Sequence, residues 1–159
     1  MKYRTGIGYD VHQLRDGLPF YLGGVKVEHT KGAVGHSDAD VLIHAICDAL
    51  LGAANLGDIG KHFPDTDMKY KGIDSKILLK ETYELVKKKG YLIENIDTVL
   101  CLQKPKVAPY LPLMKTTLSN VLGIDEDDIS IKATTTEHLG FEGREEGVSA
   151  LANVLIKTE

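Results

Sequence analysis

The sequence predicts an α/β fold, an α+β sandwich in which helices pack on one face of a mixed β-sheet. Three observations lead to this prediction. Segments of alternating polar and apolar residues are interspersed with segments of helical periodicity along the 159 residues. The chain is long enough for one core and too short for two ordinary ones, so we expect a single domain spanning residues 1–159. Hydrophobic residues make up 43% and charged residues 26% of the chain, which is typical of a soluble globular protein.

The N-terminal segment has the pattern of strands and turns. Residues 3–11, YRTGIGYDV, alternate as a strand does, with glycines where another backbone can approach closely. Residues 18–29 contain two short strand-like runs joined at Gly23-Gly24, which indicates a hairpin. A glycine-rich loop, residues 29–37, leads into the first helix.

Residues 36–52, HSDADVLIHAICDALLG, predict an amphipathic helix that carries an unusual number of titratable side chains. Apolar or small residues recur at helical spacing at Val41, Ala45, Ala49 and Gly52. Ser37 is the expected N-cap, and Asp38 and Asp40 place negative charge in the first turn, where the helix dipole favours it. Two histidines and three aspartates in a helix that packs a core indicate that one of its faces borders a site.

The rest of the chain continues to mix loops, helices and strands. Residues 56–72 predict a long polar loop. The other predicted elements are a helix from Asp74 to Lys89 ended by Gly90, a strand at residues 95–103, a helix ending at Leu122 before Gly123, and strands at residues 127–136 and 147–158. Because helices cover one face of this sheet, we expect an oligomer partner to cover the other.

Charge and composition disfavour several classes of partner. The formal net charge of −4 argues against nucleic acid and anionic membranes, since neither attracts an acidic protein. No segment approaches the roughly 18 apolar residues of a membrane span, and the N-terminal residues lack the apolar stretch of a signal peptide. Cys47 and Cys101 lie in apolar segments and predict free thiols in a reducing compartment. We therefore expect a cytoplasmic protein, or an organellar one after processing.

Three side chains have the pattern of a catalytic metal site. Asp10 and His12 lie two residues apart at the end of a predicted strand, so their side chains point the same way, and His44 lies within the first helix. Two imidazoles and one carboxylate leave a fourth position open, as in catalytic zinc sites. Asp48, one turn after His44, is a candidate to orient the second nitrogen of its ring. The alternative is a chance D-x-H pair and a histidine that packs in the core or lies at the surface.

Two further segments have features of phosphate sites. His36 and Ser37 stand where the first helix is predicted to begin, and free amides, a hydroxyl and an imidazole there suit an anion. Residues 132–147, KATTTEHLGFEGREEG, place three threonines before Glu137, whose carboxylate suits Mg²⁺ beside phosphate. The alternatives are a simple helix cap and a β-branched strand followed by a turn. The KPK at residues 104–106 is a second phosphate contact or a solvated turn.

These motifs together resemble one known family. The chain contains, in this order, YDVHQL, GGV, HSDADVLIHAICDALLGAANLGDIGKHFPDTD and KATTTEHLGFEGREEG. The pattern spans nearly the whole chain and resembles the 2-C-methyl-D-erythritol 2,4-cyclodiphosphate synthases. The resemblance implies a divalent-metal-dependent phosphorus-oxygen lyase of the non-mevalonate isoprenoid (terpenoid) pathway. Such an enzyme converts 4-diphosphocytidyl-2-C-methyl-D-erythritol 2-phosphate to the 2,4-cyclodiphosphate and CMP, by attack of the 2-phosphate on the β-phosphate.

The resemblance further implies a homotrimer whose sheets surround a central apolar cavity, with active sites between subunits. The implied cofactors are Zn²⁺, held by Asp10, His12 and His44, and Mg²⁺ or Mn²⁺, held by Glu137. His36 and Thr135 match positions that assist the transition state. The substrate-binding positions are Asp10, His12, His36, Ser37, Asp58, Ile59, Gly60, Phe63, Pro64, Asp65, Thr66, Asp67, Leu102, Gln103, Lys104, Pro105, Lys106, Val107, Ala108, Thr134, Thr135, Thr136, Glu137, Phe141 and Arg144. An isoprenoid diphosphate held by Arg144 in the central cavity is a further hypothesis.

The implied chemistry needs alignment and charge neutralisation more than an enzymic nucleophile. The nucleophile is the substrate's own 2-phosphate, which is largely dianionic at neutral pH because its second pKa is about 6. Two alternatives stay open: a zinc phosphoester hydrolase in which a metal-bound water attacks, and a metal-stabilised trimeric binding protein without turnover. The hydrolase releases two open-chain products, whereas the binding protein releases no CMP.

Overall fold

The sheet is mixed, as the sequence predicts. The computed structural model describes residues 1–159. Its main sheet contains β1 (Tyr3–Asp16), β4 (Lys31–Ala33), β5 (Tyr91–Cys101), β6 (Ile129–Thr134) and β7 (Gly147–Thr158), in the order β4-β1-β7-β5-β6. Only β5 and β6 pair in parallel; the other neighbours are antiparallel. The hairpin predicted at Gly23-Gly24 is confirmed as β2 (Tyr21–Leu22) and β3 (Val25–Lys26), and both glycines have positive φ.

Three long helices and two short ones accompany the sheet. They are α1 (Val41–Ala53), α2 (Ile59–His62), α3 (Ser75–Lys88), α4 (Leu111–Leu122) and α5 (Gly140–Gly143), with 3₁₀ turns at Met68–Tyr70, Ala108–Tyr110 and Glu126–Asp128. The predictions for α3 and α4 are confirmed, including the left-handed Gly123 that ends α4. None of these helices is both long and apolar enough to cross a membrane.

Helix α1 lies directly on β1 and β7, and two glycines make this approach possible. A Cβ added to Gly8 would lie 1.9 Å from the carbonyl oxygen of Ala45, and one added to Gly6 would lie 2.0 Å from that of Ala49. Small residues therefore face each other across the contact. Most of α1 is fully buried, so the helix is the centre of the hydrophobic core.

The start of α1 corrects the prediction. The helix begins at Val41, and its N-cap is Asp40 rather than Ser37; Asp38 and Asp40 both precede the first turn. The Asp40 carboxylate is fully buried and accepts hydrogen bonds from the backbone N–H groups of Gly23, Gly24 and Ile43. Burial raises the pKa of this carboxyl, although these N–H donors favour its ionised form. One side chain thus joins the hairpin to the helix.

Several element boundaries also differ from prediction. Strand β1 continues to Asp16, and β5 begins at Tyr91 and ends at Cys101, while β6 ends at Thr134, before the last two threonines. The polar segment 56–72 is not a plain loop, because it contains α2 and a 3₁₀ turn capped by the side chains of Asp58 and Asp67. Strand β7 matches its predicted range.

The face of the sheet away from α1 exposes apolar side chains. We call Ile7, Tyr9, Val11 and Leu151 the open sheet face. The first three are 71%, 52% and 44% exposed, whereas Gly8 between them is buried. This alternation follows the two-residue period of a strand. An apolar surface of this kind is typical of a surface that another chain covers.

Candidate metal centre and substrate pockets

The three predicted metal ligands lie together where β1 meets α1. Asp10 and His12 project from β1 toward the helix, and His44 projects back from the first turns of α1. His12 Nε2 lies 2.9 Å from Asp10 Oδ2, His44 Nδ1 lies 3.1 Å from the same oxygen, and the two ring nitrogens are 3.1 Å apart. These three atoms form a nearly equilateral triangle. No other group of three such side chains in the chain brings its ligand atoms as close together.

The triangle has the dimensions of a tetrahedral zinc site. Ligand bonds of about 2.0–2.1 Å correspond to distances of about 3.3 Å between neighbouring ligand atoms. The Asp10, His12 and His44 side chains are 25%, 16% and 12% exposed, so they are sheltered but reachable from solvent. The chain therefore supplies three ligands and leaves one side of the site open.

Hydrogen bonds at the far side of each ring orient the two imidazoles. His12 Nδ1 donates to the Val34 carbonyl oxygen at 2.9 Å, which leaves a lone pair on Nε2 to face Asp10. His44 Nε2 lies 3.1 Å from Ser37 Oγ and 3.0 Å from Ser75 Oγ, so its Nδ1 faces Asp10. Partners of this kind are typical of metal-binding histidines.

The predicted role of Asp48 beside His44 is wrong. The Asp48 carboxylate accepts a hydrogen bond from the Ile59 backbone N–H at 2.7 Å and so holds the start of α2. No sequence pattern pointed to Ser75, which is the first residue of α3 and lies far along the chain from His44. Only the packing of α3 against α1 brings it to the ring.

The electrostatics of the triangle favour bound positive charge. Burial alone would raise the pKa of the Asp10 carboxyl, but in the metal-free protein hydrogen bonds and positive charge from the His12 and His44 rings, when these are protonated, outweigh burial and lower the pKa of Asp10 to about 2. Burial alone would lower the pKa of His12, but the hydrogen bond to Asp10 and its negative charge raise it. Asp10 is thus an anion at neutral pH, and it draws a proton or a metal ion to the neighbouring imidazoles.

A cavity of about 560 Å³ opens beside the triangle, and we call it the metal pocket. It is lined by His12, Gly35, His36, Ser37, His44, Ile59, Gly60, Phe63, Pro64, Asp65, Thr66, Tyr70 and Leu78. All predicted substrate positions between residues 58 and 67 are among them except Asp58 and Asp67, whose side chains cap short helices. His36 Nε2 donates to the Asp67 carbonyl oxygen at 2.9 Å and fixes the loop that closes one side.

The sequence did not indicate Gly35, Tyr70 or Leu78 as pocket residues. A Cβ on Gly35 would lie 3.2 Å from Cε1 of His12, so glycine keeps the backbone against that ring. The ring of Tyr70 packs edge-on against Phe63, with ring centroids 5.5 Å apart. An aromatic residue following a predicted FPDTD loop was the available signal for Tyr70.

A second, smaller cavity of about 190 Å³ lies at the carboxyl ends of β5 and β6, and we call it the threonine pocket. It is lined by Leu102, Gln103, Pro105, Lys106, Val107, Ala108, Ala133, Thr134 and Thr135. The two loops that form it are joined because Leu102 N–H donates to Thr134 O and His138 N–H donates to Gln103 Oε1, each at 3.1 Å. All lining residues except Ala133 were predicted substrate positions.

Other predicted positions lie outside these two pockets. Lys104, Thr136 and Glu137 flank the threonine pocket without lining it; Glu137 is exposed and has a positive φ of 54°. Phe141 lines a third cavity of about 410 Å³ beside Val11 and His12. Arg144 is exposed, and its Nε donates to Glu146 Oε1 at 2.9 Å.

The metal pocket and the threonine pocket share no lining residue. Residues that the resemblance assigns to one substrate therefore divide between two separate cavities of the chain.

Comparison with known sequences supports the resemblance over the full length. A model described as the YgbB family matches residues 3–157. A relative from Bacteroides thetaiotaomicron, named 2-C-methyl-D-erythritol 2,4-cyclodiphosphate synthase, is 62% identical over 159 residues and covers 100% of both chains. A relative of the same name from Bacteroides fragilis is 64% identical over 156 residues and covers 98% of each chain.

Solved structures agree with this result. The bifunctional IspDF from Campylobacter jejuni is 45% identical with a TM-score of 0.96 over 99% of the present chain, which spans 43% of the length of that protein. A 2C-methyl-D-erythritol-2,4-cyclodiphosphate synthase in a form bound to CDP is 38% identical with a TM-score of 0.90, covering 97% of this chain and 100% of the other. The sequence resemblance is confirmed, and the chain belongs to the YgbB family, that of the 2-C-methyl-D-erythritol 2,4-cyclodiphosphate synthases.

Proposed function

We propose that this protein converts 4-diphosphocytidyl-2-C-methyl-D-erythritol 2-phosphate to 2-C-methyl-D-erythritol 2,4-cyclodiphosphate and CMP. An oxygen of the 2-phosphate attacks the β-phosphorus, and the bond from that phosphorus to the bridging oxygen breaks. CMP leaves with the electron pair of that bond. The observation that carries the proposal is the Asp10–His12–His44 triangle at the edge of the metal pocket, in a chain of this family.

The proposal includes two divalent cations. Asp10, His12 and His44 would hold Zn²⁺, which suits one carboxylate and two imidazoles. Glu137 would hold Mg²⁺ or Mn²⁺, since such ions take one or two carboxylates and complete their shell with phosphate oxygens and water. When bound, the two cations supply positive charge that polarises the diphosphate and neutralises the leaving CMP.

The residues of the metal pocket would bind and orient the reacting end of the substrate. His36 is fixed by its bond to the Asp67 carbonyl, and Ser37 presents its hydroxyl at the same wall. Phe63 and its neighbours exclude water from the erythritol. The 2-phosphate and the β-phosphate are thus held close, and alignment of this kind contributes most of what an intramolecular attack needs.

The residues of the threonine pocket would bind the cytidine and its phosphates. Lys106 contributes positive charge beside the cavity, and the hydroxyls of Thr134 and Thr135 suit phosphate oxygens. The Thr135 hydroxyl also accepts a hydrogen bond from the Glu137 N–H at 3.3 Å. This contact places the hydroxyl next to the residue proposed to hold the second cation. We assign His36 and Thr135 to stabilisation of the transition state from opposite ends of the diphosphate.

We further propose a homotrimer with each active site between two subunits. The two pockets share no lining residue in one chain, which suits a substrate that engages the metal pocket of one copy and the threonine pocket of its neighbour. The apolar open sheet face supports the same arrangement, since copies of this surface can cover each other around a central cavity. Arg144 and Phe141 would lie near that axis.

We also propose a cytoplasmic location, or an organellar one after processing. Cys47 and Cys101 are both free thiols, and burial raises the pKa of Cys47 to about 12, so its thiol is inert. A reducing compartment suits both.

The test is phosphorus NMR of the protein with its proposed substrate, Mg²⁺ and Zn²⁺. The proposal predicts two coupled resonances of a cyclic diphosphate that grow together with CMP. Release of CMP together with an open-chain bisphosphate would instead indicate hydrolysis by a metal-bound water. An unchanged spectrum from metal-loaded protein would favour a binding protein without turnover.

A further inference from the structure

A carboxylate that does not touch the metal triangle is linked to it through one hydroxyl. Ser75 Oγ donates a hydrogen bond to Asp38 Oδ1. The same Ser75 Oγ lies 3.0 Å from His44 Nε2. Asp38, Ser75 and His44 therefore form a continuous chain that ends at a proposed zinc ligand.

The direction of each hydrogen bond in this chain follows from proton counting. A serine hydroxyl has one proton, and an ionised carboxylate can only accept. Once the Ser75 proton points to Asp38, the hydroxyl can only accept from His44. The proton of the His44 ring must then sit on Nε2, which leaves the lone pair of Nδ1 directed at the metal position.

Ser37, the other hydroxyl beside His44 Nε2, does not impose this constraint. Its Oγ accepts a hydrogen bond from the Ala39 N–H at 3.2 Å, and no carboxylate takes its own proton. Ser37 can therefore either donate to Nε2 or accept from it. It also lines the metal pocket, where the proposed substrate would compete for its hydroxyl.

The surroundings hold the Asp38–Ser75 pair rigidly. Ser75 is fully buried as the first residue of α3, and its backbone N–H donates to Asp38 Oδ2 at 3.0 Å. The Asp40 N–H donates to Asp38 Oδ1 at 3.1 Å, and the Asp38 N–H donates to the Ile73 carbonyl oxygen. Three donors thus fix one carboxylate between the starts of α1 and α3.

We propose that Asp38 and Ser75 are positioning residues that fix the tautomer of His44 and thereby strengthen zinc binding. His12 needs no such device, because the Val34 carbonyl can only accept and so fixes its tautomer directly. The two ligand rings are held by different means, one by a backbone carbonyl and one by a carboxylate acting through a hydroxyl. This inference rests on the metal site of the proposed function, not on the reaction.

The test is a double-mutant cycle on zinc affinity, measured for the full chain by competition with a chelator. Ser75→Ala removes the hydroxyl but keeps the backbone N–H that binds Asp38. We expect it to weaken zinc binding about 10- to 100-fold, the usual effect of losing such a partner. Asp38→Asn should weaken zinc binding in the wild-type background and have no further effect in the Ser75→Ala background.

A matched control separates this effect from a general change at the start of α3. Asp74→Asn alters the exposed N-cap of the same helix, whose side chain contacts Lys76 and not His44. Its zinc affinity should equal that of the wild type. Thermal unfolding of every variant checks that the fold is retained.

A second measurement follows the His44 ring itself. In the zinc-loaded wild type, proton NMR should show the His44 Nε2–H as a downfield signal that exchanges slowly with water. Ser75→Ala should shift it upfield and speed its exchange. The inference is overturned if Ser75→Ala binds zinc as tightly as the wild type, or if Asp38→Asn weakens binding equally in both backgrounds. Failure of the wild type to bind zinc would instead refute the metal site of the proposed function.

Discussion

The metal pocket and the threonine pocket differ in how much of their polar chemistry the single chain satisfies. In the metal pocket, the far nitrogen of each ligand ring has a protein partner, and the ligand atoms already form a triangle. At the threonine pocket, the lining residues Thr134 and Thr135 and the flanking Glu137 are exposed and make few contacts. The metal triangle is formed within the single chain, whereas the polar groups at the threonine pocket have few partners in that chain. The side chains are therefore more preorganised in the metal pocket, where the proposed zinc ion would be held, than at the threonine pocket.

We expect the largest loss of zinc binding and activity from a substitution in the metal pocket. His44→Ala removes one of the three proposed zinc ligands, and we expect loss of stoichiometric zinc with a fall in CMP formation of about a thousandfold or more, because charge stabilisation is lost. Metal analysis and an assay of CMP release measure both. His29→Ala changes a histidine outside both pockets and should retain full zinc. Undiminished zinc in His44→Ala would refute the ligand assignment.

The buried Asp40 carboxylate at the start of α1 can be removed without changing a proposed metal ligand. Asp40→Ala leaves the N–H groups of Gly23, Gly24 and Ile43 without an acceptor in the core. Since each buried donor left unpaired costs about 1–3 kcal/mol, we expect the free energy of unfolding to fall by about 3 kcal/mol. Asp74→Ala removes an exposed helix cap and should cost about 1 kcal/mol. Chemical denaturation at fixed protein concentration compares the two; equal losses would contradict the role given to Asp40.

The threonine pocket should respond in activity alone. Glu137→Gln keeps the side-chain size and removes the charge that would hold the second cation, so we expect zinc content to be unchanged and turnover to fall about a hundredfold. Glu126→Gln, in an exposed 3₁₀ turn, is the control and should be active. Near-normal activity of Glu137→Gln over a range of Mg²⁺ concentrations would remove Glu137 from the mechanism.

The smallest expected effect is a pH dependence of stability that differs between the metal-free and the zinc-loaded protein. Because Asp10 raises the pKa of His12, the metal-free protein binds a proton there more tightly than the unfolded chain does. That stabilisation is fully present below pH of about 6.5 and is lost as pH rises through the raised pKa. Zinc needs the unprotonated ring, so its affinity should change in the opposite sense and fall as pH decreases below that pKa. Melting temperatures with and without zinc between pH 6 and 8 should therefore show opposite trends; parallel trends would contradict this.

The sequence predicted those parts that depend on local pattern. Strand β7, the hairpin at Gly23-Gly24 and the Gly123 stop of α4 are each determined by residues within a few positions of one another, and all are confirmed. The metal triangle was predictable because Asp10 and His12 share a strand face and His44 stands out in an apolar helix.

The predictions that were wrong, and the residue that was missed, depended on contacts between distant segments. Ser37 is a good N-cap by residue type, but Asp40 is the cap because the hairpin supplies it with two further donors. Asp48 is well spaced to reach His44, but α2 packs close enough to take its carboxylate. Ser75 reaches the ring only through the packing of α3. Hydrogen-bond partners that are brought together by tertiary packing cannot be recognised from the local sequence.

The two glycines under α1 also determine the geometry of the proposed metal site. Asp10 and His12 belong to the sheet and His44 belongs to the helix, so the triangle spans the gap between the two layers. A methyl group at Gly8 would meet the Ala45 carbonyl at 1.9 Å, one residue from His44, and would force the layers apart. A wider triangle suits cations with longer bonds and suits Zn²⁺ less. The two glycines thus set the distance between sheet and helix, and with it the width of the Asp10–His12–His44 triangle.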